Sequence, residues 1–330
     1  MLKNRKLIVL TVMLFIFVFG GNTVKASEIS VSNWDEFTKA LANPDVSIMK
    51  ITNSFANPTP STSVATATAG TLDRSLKIIG ATSDGSKPVI DFGNTATRVA
   101  PGLTLMTNPT KKSVLELDNI EFKGSESVSN ANAPNAAMIK SDDKGFNWTI
   151  KISGFSYNKG NTKRFLYGPT VAVVFDGEET VFDNDYGTSS ATSTAGMASI
   201  GTDMSRLIEA FSVDVTNRTK LSVNTRDLFF YTNYNSATSL EQGPGFYVEK
   251  GSTFIGNNVT VPIIAAEGNY FKLYVEGDPN NPNDSSMAST AEIYGETKRR
   301  TDMGGVIAVK GTNAHFKVDN QSTLNVHSRW

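Results

Sequence analysis

The chain has 330 residues, of which 39% are hydrophobic and 19% are charged, and its formal net charge is −1. It contains no cysteine, which excludes disulfides and thiolate metal sites, and the balance of charge argues against nucleic acid as a partner. A chain of this length can bury the core of one or two domains or of one elongated domain.

Residues 1–26 have the pattern of a secretory signal peptide. Three basic residues precede an apolar run from Leu7 to Phe19, and Ala26 ends the candidate cleavage site. The run is shorter than the roughly twenty residues that span a bilayer, which disfavours a membrane anchor. Loss of residues 1–26 would move the formal charge to −5, which argues against an anionic membrane as partner. We expect a secreted protein without a membrane span.

One amphipathic helix is predicted at the start of the mature chain. Ser32 and Asn33 are suited to an N-cap, and Phe37 and Leu41 share one face of a ten-residue segment that ends before Pro44. A lone helix before a run of strands fits a cap over the first coil of a solenoid, whose backbone would otherwise stay unpaired.

The rest of the chain is predicted to be short strands. The clearest example is residues 304–327, where the runs VIAV, AHFKV and TLNV alternate apolar and polar residues and are separated by KGTN and DNQS. Strands this short and this closely spaced do not suit βαβ units, and they fit one coil of a solenoid. The side chains expected to point inward are Ile307, Val309, Phe316, Val318, Leu324 and Val326.

A weak internal repeat also favours a solenoid. An apolar residue, a polar turn and a second apolar residue six positions on recur as Phe175 to Val181, Val215 to Leu221, Val248 to Phe254 and Val318 to Leu324. The alternative is a sandwich of hairpins. Most turns lack the Asn-Gly or Asp-Gly pair of tight hairpins, and Asp176-Gly177 is the clear exception.

Three low-complexity stretches, 56–71, 183–203 and 276–290, are predicted to be protruding loops. No change of composition marks a second domain. The predicted organisation is a signal peptide at 1–26, an N-terminal capping helix region at 27–45 and a parallel β-helix at 46–330.

The stretches WDEFTKALANPDVSIMKIT, SLKIIGATSDGSKPVIDFG and SVLELDNIEFKG lie between Val31 and Phe122, and FDGEETVFDN and VEKGSTFIGNN follow later. This layout resembles the pectate lyase-like adhesive domain of secreted Gram-positive surface proteins. The resemblance implies an all-β, right-handed parallel β-helix at the bacterial surface, with binding as the inferred role and lyase activity not established. Such proteins often continue into a WxL-type wall-binding region, which is absent from this chain.

A polysaccharide lyase would need acidic side chains that hold a cation and a base that takes the α-proton. The best candidates are Asp183, Asp185 and Asp214 for the cation, with Arg206, Arg218 or Arg226 as the base. Their spacing does not bring them together, and Asp or Asn next to Gly is more often a turn residue. His315 and His327 are predicted to face solvent without a third zinc ligand. We expect no catalytic residue, metal or cofactor, and the alternative is a uronate lyase or another carbohydrate-active enzyme.

Five tyrosines are the candidate ligand-binding residues. Alternation places Tyr247, Tyr270 and Tyr274 on an outer surface, with Tyr231 and Tyr234 in the loop before them. Amphipathic rings stack on sugars and anchor protein partners, although tyrosine is also a good strand former. The predicted function is a non-catalytic, adhesin-like surface protein that binds a glycan or an extracellular protein, and a structural stalk is a second alternative.

The last predicted coil has no helix to cover it. An uncapped apolar stack with open strand edges associates readily. We therefore expect the chain to be truncated, to dimerise end to end, or to continue into a further domain.

Overall fold

A computed structural model shows one helix followed by a long stack of parallel strands. The structure describes residues 27–58, 69–92, 102–106, 111–123, 137–157, 164–183, 206–225, 228–258, 262–296 and 306–329. The predicted signal peptide at 1–26, Asp185 and Arg226 lie outside these residues. In the described part of the chain, no helix has the length and hydrophobicity needed to span a membrane.

The described residues contain one α-helix, α1 (Trp34–Ala42), a 3₁₀ turn at Ser285–Met287, and a series of short strands. In chain order the strands are β1 (Ser27–Val31), β2 (Val46–Ile51), β3 (Phe55–Ala56), β4 (Gly70–Leu72), β5 (Leu76–Gly80), β6 (Val89–Asp91), β7 (Leu103–Leu105), β8 (Ser113–Asp118), β9 (Glu121–Lys123), β10 (Ile139–Ser141), β11 (Trp148–Ser153), β12 (Ser156–Tyr157), β13 (Leu166–Asp176), β14 (Thr180–Asp183), β15 (Arg206–Thr216), β16 (Lys220–Thr225), β17 (Leu228–Thr232), β18 (Gly245–Glu249), β19 (Thr253–Asn258), β20 (Ile264–Ala266), β21 (Lys272–Glu276), β22 (Thr290–Glu296), β23 (Ile307–Val309), β24 (His315–Asp319) and β25 (Thr323–Arg329).

Every strand pairing in the described residues is parallel. The pairings form three ladders. Ladder A is β1-β2-β5-β8-β11-β13-β15-β18-β21-β24, ladder B is β3-β6-β9-β12-β14-β16-β19-β22-β25, and ladder C is β4-β7-β10-β13-β15-β17-β20-β23. The long strands β13 and β15 belong to ladder C by their first halves and to ladder A by their second halves.

Each coil visits the ladders in the order A, B, C, as β5, β6 and β7 do, and then starts again one strand further along the stack. This is a parallel β-helix, and the fold class expected from the alternating pattern is confirmed. Crossovers between parallel strands are right-handed in nearly all proteins, and the right-handed winding remains a prediction.

Helix α1 covers the first coil. The Asn33 side chain accepts a hydrogen bond from the Glu36 amide at 3.0 Å, and the Glu36 carboxylate accepts one from the Ser32 amide at 2.7 Å. This is a variant of the capping box, in which Asn33 is the N-cap and the Glu36 carboxylate reaches the amide one residue before it. Phe37 and Leu41 are fully buried against the end of the core. The predicted short N-terminal capping helix is therefore confirmed.

A stack of phenylalanines runs along the interior. Successive ring centroids from Phe92 through Phe122 and Phe155 to Phe182 lie 5.1, 5.5 and 5.9 Å apart, and Phe229 follows at 5.6 Å. Aromatic pairs at these separations add attraction to the burial of their area. Because each ring touches the coils on either side, the stack joins neighbouring coils into one continuous core.

The turns from ladder A to ladder B use left-handed residues. The same two positions have positive φ in three coils, namely Asn217-Arg218, Lys250-Gly251 and Asn320-Gln321. After β13, Gly177 alone has positive φ, at 127°, and the turn is one residue shorter. As a result Thr180, not Val181, pairs with Leu221 and is buried. This corrects the predicted repeat by one residue at that coil.

A row of hydroxyl groups follows these turns from coil to coil. The Thr219 amide donates to Ser252 Oγ at 3.2 Å, the Ser252 amide donates to Ser289 Oγ at 3.2 Å, and the Ser289 amide donates to Ser322 Oγ at 3.0 Å. Thr219, Ser252 and Ser289 are buried. Each hydroxyl thus satisfies a donor from the coil before it, which holds the coils in register.

Several strands of ladder C are not predicted by alternation. Strands β4, β7 and β10 have three residues each, too few to show a period, and all five residues of β17 are buried. The predicted loop at 56–71 therefore ends in β4, and Tyr231 lies in β17 instead of in a loop. The two errors have different causes, because β4 is too short to show a period, whereas β17 is buried on both faces and has no polar face.

The last coil leaves apolar side chains open to solvent. Phe316, Val318 and Val326 are 51%, 48% and 49% exposed. Their partners on the preceding coil, Leu273, Val275 and Ile293, are buried. The register places these residues in the inward rows as predicted, but no described residue covers them, and their expected burial is wrong.

Candidate functional site

The outer surface of ladder A carries three parallel rows of side chains near the C-terminal end of the stack. The middle row is Asp214, Tyr247, Tyr274 and Lys317, contributed by β15, β18, β21 and β24. One flanking row is Ser212, Gly245, Lys272 and His315, and the other is Thr216, Glu249, Glu276 and Asp319. Because adjacent strands lie about 4.8 Å apart, side chains within a row reach one another. We call these three rows the tyrosine face.

Tyr247 and Tyr274 are the centre of the tyrosine face. Strands β18 and β21 alternate between buried residues and partly exposed ones, which directs both rings outward. The ring centroids lie 5.7 Å apart with an angle of 82° between the planes. This edge-to-face arrangement is one that aromatic pairs prefer. The structure thus brings together two of the five tyrosines singled out in the sequence.

Gly245 makes room for the first ring. A Cβ atom at this position would collide with the ring of Tyr247, so the ring lies against the Gly245 backbone. Glycine in a strand interior often marks such a close approach, since it otherwise weakens the strand. The position of the Tyr247 ring is therefore set by the residue two positions before it.

Three nitrogen-bearing side chains surround the rings. Lys272 Nζ lies 5.7 Å from the centroid of Tyr247, Lys317 Nζ lies 5.9 Å from that of Tyr274, and His315 Nδ1 lies 2.9 Å from the Tyr274 hydroxyl oxygen. An ammonium group within about 6 Å of a ring centroid is attracted to the ring. Burial lowers the pKa of Lys272, whereas its hydrogen bond to Glu276 raises the pKa of Lys317.

The flanking row that starts at Thr216 is acidic. Lys317 Nζ lies 2.6 Å from a Glu276 oxygen and 3.3 Å from an Asp319 oxygen. Glu249 lies 3.4 Å from Lys250 Nζ and accepts a hydrogen bond from the Thr216 hydroxyl at 3.2 Å. The tyrosine face is therefore bordered on this side by carboxylates that already have partners within the chain.

Asp214 differs from these carboxylates. Its Oδ1 atom is buried and has no hydrogen-bond partner in the described residues. Burial, with a contribution from Glu249, raises the pKa of Asp214 to about 7, although Lys250 opposes the shift. Burial also raises the pKa of Tyr247, so its hydroxyl stays protonated at neutral pH. Near pH 7 the middle row therefore offers the protonated hydroxyl of Tyr247 next to the carboxyl group of Asp214, which can accept or donate a hydrogen bond.

Two predicted binding tyrosines are placed elsewhere. Tyr231 is 1% exposed in ladder C, its hydroxyl donates to Glu267 at 2.9 Å, and the guanidinium carbon of Arg206 lies 3.7 Å from its ring centroid. Tyr270 precedes β21 in a turn with φ of 60°, and its amide donates to the Thr312 carbonyl oxygen at 2.9 Å. Neither residue belongs to the three rows of the tyrosine face.

Tyr234 belongs to a second aromatic cluster that the sequence did not reveal. Its ring centroid lies 5.3 Å from that of Phe146 and 5.1 Å from that of Phe211, and the two phenylalanines are 4.9 Å apart. All three residues are partly exposed. They come from segments far apart in sequence, so only the register of the coils, which the sequence does not show, could have grouped them.

A buried ionic cluster was also missed. Glu209 Oε2 lies 2.9 Å from an Arg164 guanidinium nitrogen and 2.6 Å from one of Arg206, and the three side chains are at most 7% exposed. The available signal was the pair of charged residues in RLIEAF, where five consecutive residues are buried. Arg206, a candidate base for lyase chemistry, is held in this cluster.

The candidate lyase residues do not converge. Asp183 lies on ladder B and accepts a hydrogen bond from Asn224 at 2.9 Å. Asp214 lies on ladder A, Arg206 lies at the ladder C end of β15, and Arg218 is exposed in the following turn. In the ranges that the structure describes, no group of three or more His, Asp or Glu side chains is arranged to hold a metal ion.

Comparisons with known proteins agree with this architecture. Among solved structures, "L. reuteri 53608 SRRP" is similar with a TM-score of 0.51 and 12% sequence identity, over 91% of this chain and 99% of that chain. At this identity the likeness shows the fold alone. No curated protein matches the chain. Residues 28–171 match the family described as "putative pectate lyase-like adhesive domain". This part of the chain is therefore similar to the pectate lyase-like adhesive family.

Proposed function

We propose that this protein is a secreted or cell-surface adhesin that binds an extracellular glycan or protein through the tyrosine face and does not cleave it. The observation that carries the proposal is the in-register pair of Tyr247 and Tyr274 on the outside of ladder A. The adhesive domain at residues 28–171 supports the adhesin-like role. The tyrosine face lies beyond that segment, in the later coils of the same stack.

The chemistry of the tyrosine face suits recognition. Aromatic rings offer apolar area at low entropic cost and hold a polar hydroxyl at one edge. Lys272 and Glu249 supply a hydrogen-bond donor and a hydrogen-bond acceptor on opposite sides of the Tyr247 ring. Near neutral pH the Asp214 carboxyl group can donate or accept a hydrogen bond. A ligand that combines an apolar surface with hydrogen-bonding groups, such as a sugar ring or an extracellular peptide, fits this arrangement.

The signal peptide pattern at residues 1–26 supports export. The dispersion of Asp183, Asp214 and Arg206 over three ladders supports binding without cleavage, since lyase chemistry needs a cation and a base at one carbon atom. Neither point identifies the ligand.

The test is a binding screen with alanine variants. The chain from residue 27 onward is applied to an array of glycans and extracellular-matrix proteins, alongside Tyr247→Ala and Tyr274→Ala. We expect a defined ligand for the parent chain and a loss of affinity of roughly 5- to 160-fold in both variants, because about 1–3 kcal/mol of aromatic contact is removed. Tyr294→Ala is the matched control, since Tyr294 is a partly exposed tyrosine on ladder B.

Other outcomes separate the alternatives. Equal binding by the parent and both variants would refute the tyrosine face as the site. A rise in absorbance from unsaturated uronates, when the chain meets polygalacturonate and calcium, would instead establish a lyase. Absence of binding to every glycan and protein on the array would favour a structural stalk. Circular dichroism spectra matching the parent would confirm that the variants are folded.

A further inference from the structure

The corner at which the chain passes from ladder C to ladder A carries the rings of Phe146, Phe211 and Tyr234, which we call the corner cluster. Phe211 lies within β15, between Ala210 on ladder C and Ser212 on ladder A. Phe146 and Tyr234 lie in the connections that lead to β11 and β18. The three rings contact one another and are partly exposed. A group of exposed aromatic side chains at one place marks an interaction surface.

The turn before β11 is built to hold Phe146 at the surface. Phe146 has a φ of 55°, a left-handed conformation that bulky residues rarely adopt. The Gly145 and Asn147 amides on either side of it donate to the buried Asp143 carboxylate at 3.2 and 2.7 Å. The Phe146 carbonyl oxygen accepts a hydrogen bond from Lys112 Nζ at 2.6 Å. Strained residues that are held by their surroundings in this way are concentrated at ligand sites.

The corner cluster is continuous with the tyrosine face. On β15, Ser212 follows Phe211 directly and pairs with Gly245 of β18. The Tyr247 ring lies against the Gly245 backbone. Since successive residues of a strand are about 3.3 Å apart, only a narrow strip of small residues, Ser212 and Gly245, separates the corner cluster from Tyr247. Aromatic rings therefore border this strip on both sides and form one surface with it.

The backbone beneath this surface is not available to a peptide. Strand β15 pairs with β13 and β18, and β18 pairs with β15 and β21, so the N–H and C=O groups of these strands are engaged in ladder A. Peptides that bind sheets add a strand to a free edge. A peptide that lay across the face of the sheet would lose water from its amides without gaining backbone partners. The surface therefore disfavours an extended peptide.

The side chains around the two groups of rings suit sugars. Asn233 and Asn235 flank Tyr234 in the chain and are exposed. Lys272 Nζ lies 5.7 Å from the centroid of the Tyr247 ring. These amide and ammonium groups can bind hydroxyl groups, while the aromatic rings stack on the apolar faces of sugars. A chain of sugars that crosses the strip can contact both groups of rings, whereas a single sugar can contact only one.

We propose that the corner cluster is a second subsite for the ligand of the tyrosine face, and that this ligand is a polysaccharide bound along several successive sugars. The proposal rests on the proposed function, because it extends the same binding surface and names its class of ligand.

The first test is electrophoresis of the chain from residue 27 onward through native gels that contain hyaluronan, polygalacturonate, xylan or mannan. We expect at least one of these polysaccharides to retard the parent chain. Phe211→Leu and Tyr234→Leu keep an apolar side chain in the corner cluster but remove a ring, so each should weaken binding by about 2- to 12-fold. Tyr234→Phe, which keeps the ring, and Tyr294→Ala, on ladder B, should bind like the parent. Retardation by none of the four polysaccharides would overturn the proposal.

The second test is competition by fragments of the polysaccharide that retards the chain. We expect the affinity per fragment to rise from the disaccharide to longer fragments and to level off once a fragment reaches both groups of rings. In Tyr234→Leu the affinity should level off at a shorter fragment. A disaccharide that competes as well as the longest fragment would refute binding along several sugars.

The failure of this inference can be told from the failure of the proposed function. Weak binding by Tyr247→Ala together with parent-like binding by Phe211→Leu and Tyr234→Leu would refute the corner subsite and leave the tyrosine face in place. Parent-like binding by all three variants would refute the tyrosine face as well. Binding to proteins alone would overturn the polysaccharide but leave the adhesin. Circular dichroism spectra matching the parent would show that the variants are folded.

Discussion

Neutralising the Glu209 side chain should strongly lower the stability of the fold while hardly changing the shape of the side chain. Its Oε2 atom lies 2.9 Å from Arg164 and 2.6 Å from Arg206, and its side chain is 3% exposed. Glu209→Gln keeps the volume but removes the negative charge that the two guanidinium groups share. Burial and the proximity of Arg206 already lower the pKa of Arg164, and Glu209 opposes that shift.

Breaking a buried ion pair by removing one partner costs about 3–5 kcal/mol, because the remaining charge stays in a poorly solvated site. We expect Glu209→Gln to lower the free energy of unfolding by this amount. Glu116→Gln is the matched control, since Glu116 lies 2.6 Å from Lys77 but its side chain is 36% exposed. Exposed pairs contribute only about 0–1 kcal/mol.

Native-state hydrogen exchange of the β15 and β17 amides is the appropriate assay, because a stack of coils can open locally without unfolding as a whole. Urea unfolding followed by circular dichroism provides the global comparison. If Glu209→Gln and Glu116→Gln differ by less than about 1 kcal/mol, the buried cluster does not hold these coils together and the reasoning is wrong.

Three further predictions concern the tyrosine face and the hydroxyl row. Because the pKa of Asp214 is raised to about 7, the folded chain binds the proton of this carboxyl group more tightly than the unfolded chain does. The stability that proton binding contributes is complete below about pH 4 and is lost as the pH rises to about 7. Asp214→Asn should therefore be more stable than the parent at pH 8, with a gain that shrinks toward pH 4, and urea midpoints that run parallel across this range would contradict it. Ser289→Ala removes the acceptor of the Gly251 and Ser252 amides and should cost about 1–3 kcal/mol in urea unfolding, whereas Ser285→Ala, at an exposed position, should cost less than about 0.5 kcal/mol. Gly245→Ala should displace the Tyr247 ring and change the near-ultraviolet circular dichroism while leaving the far-ultraviolet spectrum unchanged; an unaltered near-ultraviolet spectrum would show that the ring does not depend on this glycine.

The parts of the fold that could be predicted are those with one buried face. In β18 and β21, apolar and polar residues alternate, so the inward and outward side chains follow directly from the sequence. Helix α1 was also predictable, because Asn33 and Glu36 form a recognisable capping box. In contrast, β17 has no polar face and β4 has three residues, so neither shows a period.

The candidate site was predictable only in part for a related reason. Alternation shows that Tyr247 and Tyr274 point outward, but their contact depends on the register between β18 and β21, which is set by the lengths of the intervening loops. Tyr270 lies in a left-handed turn, two residues before β21 begins at Lys272. The alternation of β21 therefore does not extend to it. Phe146 and Phe211 meet for the same reason that Tyr247 and Tyr274 do, through register, and no local pattern marks them.

Fluorine NMR of the chain labelled with 3-fluorotyrosine tests most directly whether a ligand binds at the tyrosine face. Resonances of Tyr247, Tyr274 and Tyr294 are assigned by single substitutions to phenylalanine, and the strongest ligand from the array is then added. We expect the Tyr247 and Tyr274 resonances to shift with a common saturation curve while that of Tyr294, on ladder B, stays in place. Saturable binding that leaves both Tyr247 and Tyr274 unshifted would contradict the account.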